Sequence, residues 1–63
     1  MHFYIDNMTC GGCARSVTKA IVDVDPNAKI VTDPPNRSVQ VCSTAPLDDI
    51  KKSLQNAGFP VRE

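Results

Sequence analysis

The chain has 63 residues, enough for one small domain, and its 41% hydrophobic and 22% charged residues are typical of an ordered globular protein rather than a disordered one. Seven basic residues balance seven acidic ones, so no excess positive charge attracts nucleic acid or an anionic membrane surface. The N-terminal residues lack a basic segment followed by an apolar run, and no apolar stretch approaches the roughly 20 residues of a membrane helix. We therefore expect a cytoplasmic protein without membrane insertion.

The first half of the chain predicts a strand, a tight loop and a helix. Residues 2–6 alternate, with Phe3 and Ile5 on one face, as in a half-exposed strand. Two adjacent glycines follow and predict a tight loop. Apolar residues then recur at steps of three and four over residues 13–24, which predicts a helix that ends at Asp25-Pro26-Asn27. The predicted buried face of this helix consists of Ala14, Val17, Ile21 and Val24.

The middle of the chain predicts a hairpin. Residues 28–33 form a weaker strand candidate, and Asp33-Pro34-Pro35-Asn36 is a turn sequence. Residues 38–42 alternate again, with two valines on one face. Two strands joined this closely should pair antiparallel.

The last third predicts a second helix and a short strand. Residues 43–46 open the helix, and its first turn carries two aspartates, the charge sign that a helix N-terminus favours. Gly58 is placed to end it, and residues 59–61 can add a final edge strand. The predicted buried face consists of Leu47, Ile50, Leu54 and Ala57.

The order of elements is strand, helix, strand, strand, helix, strand. This order matches an α+β, ferredoxin-like βαββαβ fold, in which a four-stranded antiparallel sheet carries two helices on one face. No linker, repeat or low-complexity segment interrupts it. We therefore expect residues 1–63 to form a single domain.

The chain has three cysteines, an odd number that rules out a fully paired disulfide framework within one chain and favours reduced thiols. Cys10 and Cys13 flank two glycines at the predicted strand–helix junction, where the glycines should relieve side-chain clashes and unpaired helix N–H groups should stabilise a thiolate. Two thiolates without a neighbouring histidine or carboxylate favour a soft ion, Cu(I), because zinc normally requires four ligands. The alternative is two small buried residues without a ligand.

The segment Met8-Thr9-Cys10-Gly11-Gly12-Cys13 resembles the metal loop of heavy-metal-associated domains, which include small copper chaperones and N-terminal domains of copper-transporting P-type ATPases. The resemblance covers essentially the whole chain and implies the βαββαβ fold. It implies Cys10 and Cys13 as metal ligands, Met8 as the residue that anchors the loop in the core, and delivery of Cu(I) by thiolate exchange to a partner such as an ATPase domain. It implies no enzyme activity. Residues implied to shape or flank the loop are Met8, Thr9, Gly11, Gly12 and Phe59.

Two positions depart from the family pattern. Asn7 stands where the family usually has glycine, and we expect asparagine to tolerate a left-handed backbone there. Phe59 stands where relatives often have tyrosine or lysine, so it offers no polar group to the thiolates. Met8 is expected to pack in the core rather than to act as a third, thioether ligand.

Four basic residues lie off the apolar faces of the predicted helices: Arg15, Lys19, Lys51 and Lys52. One interpretation is that they are only solvated. The resemblance implies another, in which basic helix residues dock an acidic partner domain.

Two alternative functions use the same cysteines. A thiol–disulfide oxidoreductase would use Cys10 as nucleophile and Cys13 as resolving thiol, but the chain is too short for a thioredoxin fold and offers no obvious acid–base residue behind the pair. Handling of Hg(II) or Zn(II) by the same fold stays open, because mercury also favours two thiolates.

The third cysteine, Cys42, is predicted at the opposite end of the domain from Cys10 and Cys13. A register that pairs Tyr4 with Gln40 would place His2 opposite Cys42 on the open face of the sheet. Such a pair would offer a weak secondary site for Cu or Zn, or a thiol that links two chains on oxidation. The simpler interpretation is an exposed cysteine without a function. We expect a monomer when the thiols are reduced, with a metal-bridged or Cys42-linked dimer as the alternative.

Overall fold

The computed structural model describes residues 1–9 and 11–62, and it contains five regular elements and one short 3₁₀ turn. Within these residues no helix is both long enough and apolar enough to cross a bilayer. The elements are β1 (His2–Tyr4), α1 (Gly11–Val24), β2 (Lys29–Asp33), the 3₁₀ turn (Pro34–Asn36), β3 (Ser38–Cys42) and α2 (Leu47–Asn56).

The sheet has the strand order β1-β3-β2, and both pairings are antiparallel. The hairpin of β2 and β3 is confirmed, and Arg37 closes its turn in a left-handed conformation with φ of 54°. The predicted register of β1 is wrong, because Tyr4 pairs with Ser38 and His2 pairs with Gln40. A slip of two residues keeps the same side chains facing the core, so the hydrophobic pattern could not distinguish the two registers.

The predicted fourth strand is reduced to a single bridge, so the described residues form three strands rather than four. Tyr4 and Arg62 exchange two backbone hydrogen bonds, of 2.8 and 2.6 Å. Residues 59–61 do not pair, because the Phe59 N–H already donates to the Leu54 carbonyl and Pro60 has no N–H to donate. The C-terminal segment therefore follows β1 without becoming a strand.

The core lies between the sheet and the two helices, which pack on the same sheet face. The alternation in β1 and β3 is confirmed, since Phe3 of β1 and two valines of β3 are buried. The Ser53 hydroxyl of α2 donates to the Ala20 carbonyl of α1 at 2.8 Å and links the helices. The buried core consists of Phe3, Ile5, Met8, Val17, Ala20, Ile21, Val39, Val41, Ile50 and Leu54.

Helix α2 confirms most of its predicted features. Asp48 and Asp49 lie in its first turn, and Gly58 follows its end with a positive φ of 89°, a conformation that favours glycine. Ala57 is exposed rather than buried, so this part of the predicted apolar face is wrong. The reason is that the helix ends at Asn56, and the chain turns away before Ala57 reaches the core.

The loop after α1 is held by the carboxylate of Asp25. This carboxylate accepts hydrogen bonds from the Ser43 hydroxyl at 2.5 Å and from the Asn27 backbone N–H at 3.0 Å. The Ser43 bond, followed by the Asn27 bond, lowers the pKa of Asp25 below its ordinary value. The ionised form is therefore favoured by folding.

Asp25→Asn is expected to lower the urea midpoint of unfolding at pH 7, because it removes the charged acceptor. A lowered folded-state pKa stabilises the fold above the unfolded pKa, and this contribution is lost as the pH falls through the folded-state pKa. The difference between the variant and the original protein should therefore shrink in strong acid. Asp23→Asn, at an exposed position of α1, is the matched control. Equal midpoints at pH 7 for all three proteins would contradict the role of Asp25.

Candidate metal centre

The loop between β1 and α1 is anchored by buried residues at its start. Ile5 and Met8 are completely buried, and the Met8 N–H donates to the Ile5 carbonyl at 3.0 Å. Thr9, the next residue, is exposed. The chain therefore passes from the core to the surface within one residue, just before the two cysteines. Met8 packs in the core as the sequence predicted.

Cys13 is the third residue of α1, in its first turn, and its half-buried side chain packs against the core. Residues in this turn lie beside backbone N–H groups that have no acceptor within the helix, which favours a negatively charged ligand atom there. Cys10 lies outside the described residues, so the convergence of the two sulfurs stays a prediction. Of the two predicted ligands, Cys13 is thus held in a regular helix.

Gly11 and Gly12 are exposed residues at the start of α1. Apart from its chain neighbours and the backbone of its own helix, a Cβ atom added at Gly11 would meet no atom within 4 Å, and the φ of Gly11 is not positive. The tight loop predicted at these glycines is wrong, because both residues belong to the first turn of α1. Both glycines are exposed and carry no side chain, so the surface before Cys13 is open.

The segment after α2 contacts the loop that carries the cysteines. The Asn7 side-chain amide donates to the Gly58 carbonyl at 3.2 Å, and Phe59 is half-buried against the core. Among the described residues only Arg37 and Gly58 have a positive φ, so Asn7 does not adopt the left-handed backbone that we expected it to tolerate. Asn7 instead uses its side chain to join two loops. The departure from glycine at position 7 was the only sign of this contact in the sequence, and the residue that Asn7 contacts lies 51 residues away.

Asn7→Ala is expected to loosen this junction. One hydrogen bond of this kind contributes about 1 kcal/mol or less at an exposed site, so the Met8 and Phe59 amides should exchange with solvent up to about fivefold faster. Native-state hydrogen exchange measures the change. Asn27→Ala, beyond the other end of α1, is the control and should leave both amides unchanged. Identical protection in all three proteins would show that the Asn7 contact does not hold the loops together.

The four predicted docking residues lie on the two helices. Arg15 and Lys19 are exposed on α1, while on α2 Lys52 is exposed and Lys51 is half-buried. Both helices therefore carry exposed basic residues, and the first turn of α2 also carries two exposed aspartates.

The predicted secondary site is not formed, because the register separates its two residues. The His2 imidazole Nε2 lies 2.7 Å from the Ser38 hydroxyl, and Cys42 pairs across the sheet with Lys29. No described residue of β1 lies opposite Cys42. Over residues 1–9 and 11–62, no group of three or more His, Cys, Asp or Glu side chains is arranged to hold a metal ion. Cys42 is exposed at the sheet end opposite to Tyr4, as the sequence predicted.

Comparison with known proteins identifies the family. The profile of the heavy-metal-associated domain matches residues 2–60. The chain belongs to the heavy-metal-associated domain family. A copper transport protein ATOX1 homolog from Dictyostelium discoideum is 33% identical over 58 residues, which cover 89% of this chain and 84% of that protein.

Solved structures of similar proteins match the fold of this heavy-metal-associated domain. A gold binding protein is 51% identical, with a TM-score of 0.96 over 100% of this chain and 97% of that protein. The copper chaperone Atx1 from Synechocystis PCC6803 has a TM-score of 0.94 over 98% of each chain, and its 24% identity shows the fold alone. The ferredoxin-like arrangement of two helices on an antiparallel sheet is thus shared.

Proposed function

We propose that this protein binds one Cu(I) ion between Cys10 and Cys13 and delivers it to an acceptor protein in the cytoplasm. The observation that carries the proposal is the position of Cys13. Cys13 lies in the first turn of α1. The loop before this helix is anchored by Met8, which is completely buried. Membership of the heavy-metal-associated family and the 33% identity to a copper transport protein homolog support the same assignment.

The chemistry of the two cysteines favours a soft monovalent ion. Thiolates prefer soft metals, and Cu(I) accepts two of them in a nearly linear site or three when an exogenous thiol joins. Thr9, Gly11 and Gly12 leave the surrounding surface exposed. Because protons compete for thiolates, affinity should fall as the pH falls.

Gold in its monovalent state is a second candidate cargo. The relative described as a gold binding protein is 51% identical to this chain over its whole length. A two-thiolate site suits any soft ion with low coordination number, so Au(I) and Hg(II) are expected to compete with Cu(I) for it, whereas Zn(II) should bind weakly for lack of further ligands.

A metal titration separates these functions from the oxidoreductase alternative. The reduced protein, handled without oxygen, is titrated with Cu(I), Au(I), Hg(II) or Zn(II) against a chromophoric chelator, and its turnover of a disulfide substrate is measured in parallel. We expect one Cu(I) per chain, bound more tightly than by a simple dithiol, and no enzyme activity. Affinity equal to that of a simple dithiol, together with disulfide turnover, would contradict the proposal.

Delivery by ligand exchange requires an encounter between two proteins, and the basic residues on the helices are proposed to steer it. With the metal-binding domain of a copper-transporting P-type ATPase as acceptor, Lys19→Glu should slow Cu(I) transfer, and added salt should slow transfer by the unaltered protein. Lys29→Glu changes the charge equally at the far end of the sheet and is the control. A transfer rate insensitive to salt and to Lys19→Glu would leave these residues as solubilising charges.

A further inference from the structure

Strand β2 forms an edge of the sheet. It pairs with β3 on one side, and no described strand pairs with its other side. At its centre, Val31 is 64% exposed and is one of two large hydrophobic residues exposed in the described part of the chain. An exposed edge with an apolar centre is a template for pairing with another strand.

The alternation of hydrogen bonds shows which backbone groups of β2 face outward. Val41 in β3 exchanges its backbone hydrogen bonds with Met1, the residue before β1, so Gln40, one residue earlier, directs its own toward β2. Gln40 pairs with Val31, which therefore directs its N–H and C=O inward to β3. By the same alternation, Ile30 and Thr32 present their N–H and C=O groups at the outer edge.

We infer that the outer edge of β2 pairs antiparallel with β2 of a second copy of this chain, about a twofold axis at Val31. The sequence Lys29-Ile30-Val31-Thr32-Asp33 is complementary to itself in this register. Lys29 lies opposite Asp33 of the second copy, twice by symmetry, on the same face of the sheet. Opposite charges placed directly across a strand pair stabilise the pairing.

The same register satisfies the backbone. Ile30 of one copy lies opposite Thr32 of the other, and these are the residues whose groups face outward, so each pair exchanges both hydrogen bonds. Val31 lies opposite Val31 of the second copy, and the two form a pair without hydrogen bonds. In such pairs the side chains approach most closely. Axes at Ile30 or Thr32 satisfy the backbone less fully. The first sets Thr32 opposite Ala28, whose N–H already donates to the Asp25 carbonyl, and the second sets Ile30 opposite a proline without an N–H. Both axes also leave Lys29 and Asp33 without opposite charges.

The geometry makes this contact weak and independent of metal. Five residues per chain bury much less than the roughly 1,200 Å² of a stable interface, so we expect a dissociation constant of about 0.1 to 1 mM. Strands β1 and β2 run parallel, since both are antiparallel to β3. The twofold axis therefore places the β1–α1 loops of the two copies at opposite ends of one continuous sheet, and both loops stay accessible.

The test measures self-association of the metal-free, reduced protein by sedimentation equilibrium up to about 2 mM, in a Cys42→Ser background that prevents disulfide-linked dimers. We expect dimers in the upper part of this concentration range, and at lower concentrations the monomer that was expected for the reduced protein. Asp33→Lys and Lys29→Asp should each abolish them by opposing like charges, and the double exchange of both residues should restore them.

A second variant tests the backbone. Thr32→Pro removes an outward N–H without removing a bond to β3, and it should abolish dimers. Circular dichroism confirms folding of each variant, because Asp33 also accepts a hydrogen bond from Asn36 at 2.8 Å. A protein that stays monomeric at about 2 mM, or dimers that survive both single charge reversals, would overturn the inference. Neither result bears on Cu(I) binding, so the proposed function stands or fails separately.

Discussion

Cys13→Ser is expected to abolish tight Cu(I) binding. Serine is a hard hydroxyl ligand of nearly the same size, so the change removes one of the two proposed soft ligands while leaving the first turn of α1 intact. Loss of a residue that only hydrogen-bonds to a metal ligand lowers metal affinity by up to about a hundredfold. Loss of a ligand itself should lower the Cu(I) affinity by more than that. Competition with a chromophoric chelator measures it, and Cys10→Ser should behave alike.

Cys42→Ser makes the same chemical change at the exposed, far end of the sheet and is the matched control. It should retain the affinity and the stoichiometry of the original protein. Tight binding retained by Cys13→Ser would refute the ligand assignment. A sharp loss of affinity in Cys42→Ser would instead show that the third cysteine contributes to the site.

Met8→Ala is expected to lower the free energy of unfolding by about 2 to 5 kcal/mol, because it empties part of the core below the cysteine loop. Met8 is completely buried, together with Ile5 at the other end of the same turn. In a domain of this size such a loss approaches the whole stability. Chemical denaturation of the metal-free protein measures it.

Met8→Leu separates packing from metal ligation. Leucine conserves the volume, so its effect on stability should stay below about 1.5 kcal/mol. It removes the thioether, and we expect the Cu(I) affinity to stay unchanged. A stable Met8→Leu protein with weakened Cu(I) binding would show that the thioether is a ligand.

Local sequence patterns predicted most of the fold, because the burial of each position in a strand or helix determines whether its residue is apolar or polar. The alternation about Phe3 and the helical spacing about Val17 are both confirmed by burial. The predicted register of β1 was wrong, because a slip of two residues leaves the alternation of buried and exposed residues unchanged. The fourth strand failed because the Phe59 N–H is used by the Leu54 carbonyl, a contact that the residue pattern does not encode.

For the candidate site, the motif predicted Met8 in the core and Cys13 in the first helical turn, and both placements are observed. The contact between Asn7 and Gly58 could not be predicted, because it joins segments 51 residues apart through one side chain. Sequence patterns describe neighbours along the chain, whereas this hydrogen bond depends on how the two loops meet. Relatives of known structure show the same fold around it.

We propose that one soft ion is held by two cysteine thiolates at the start of α1. X-ray absorption at the copper edge of the protein loaded with one equivalent of Cu(I), without added thiol, tests it most directly. We expect Cu(I) with two sulfur neighbours and no nitrogen or oxygen neighbours, and loss of one sulfur in Cys13→Ser. A site with nitrogen or oxygen ligands, or the same two sulfurs in that variant, would contradict it.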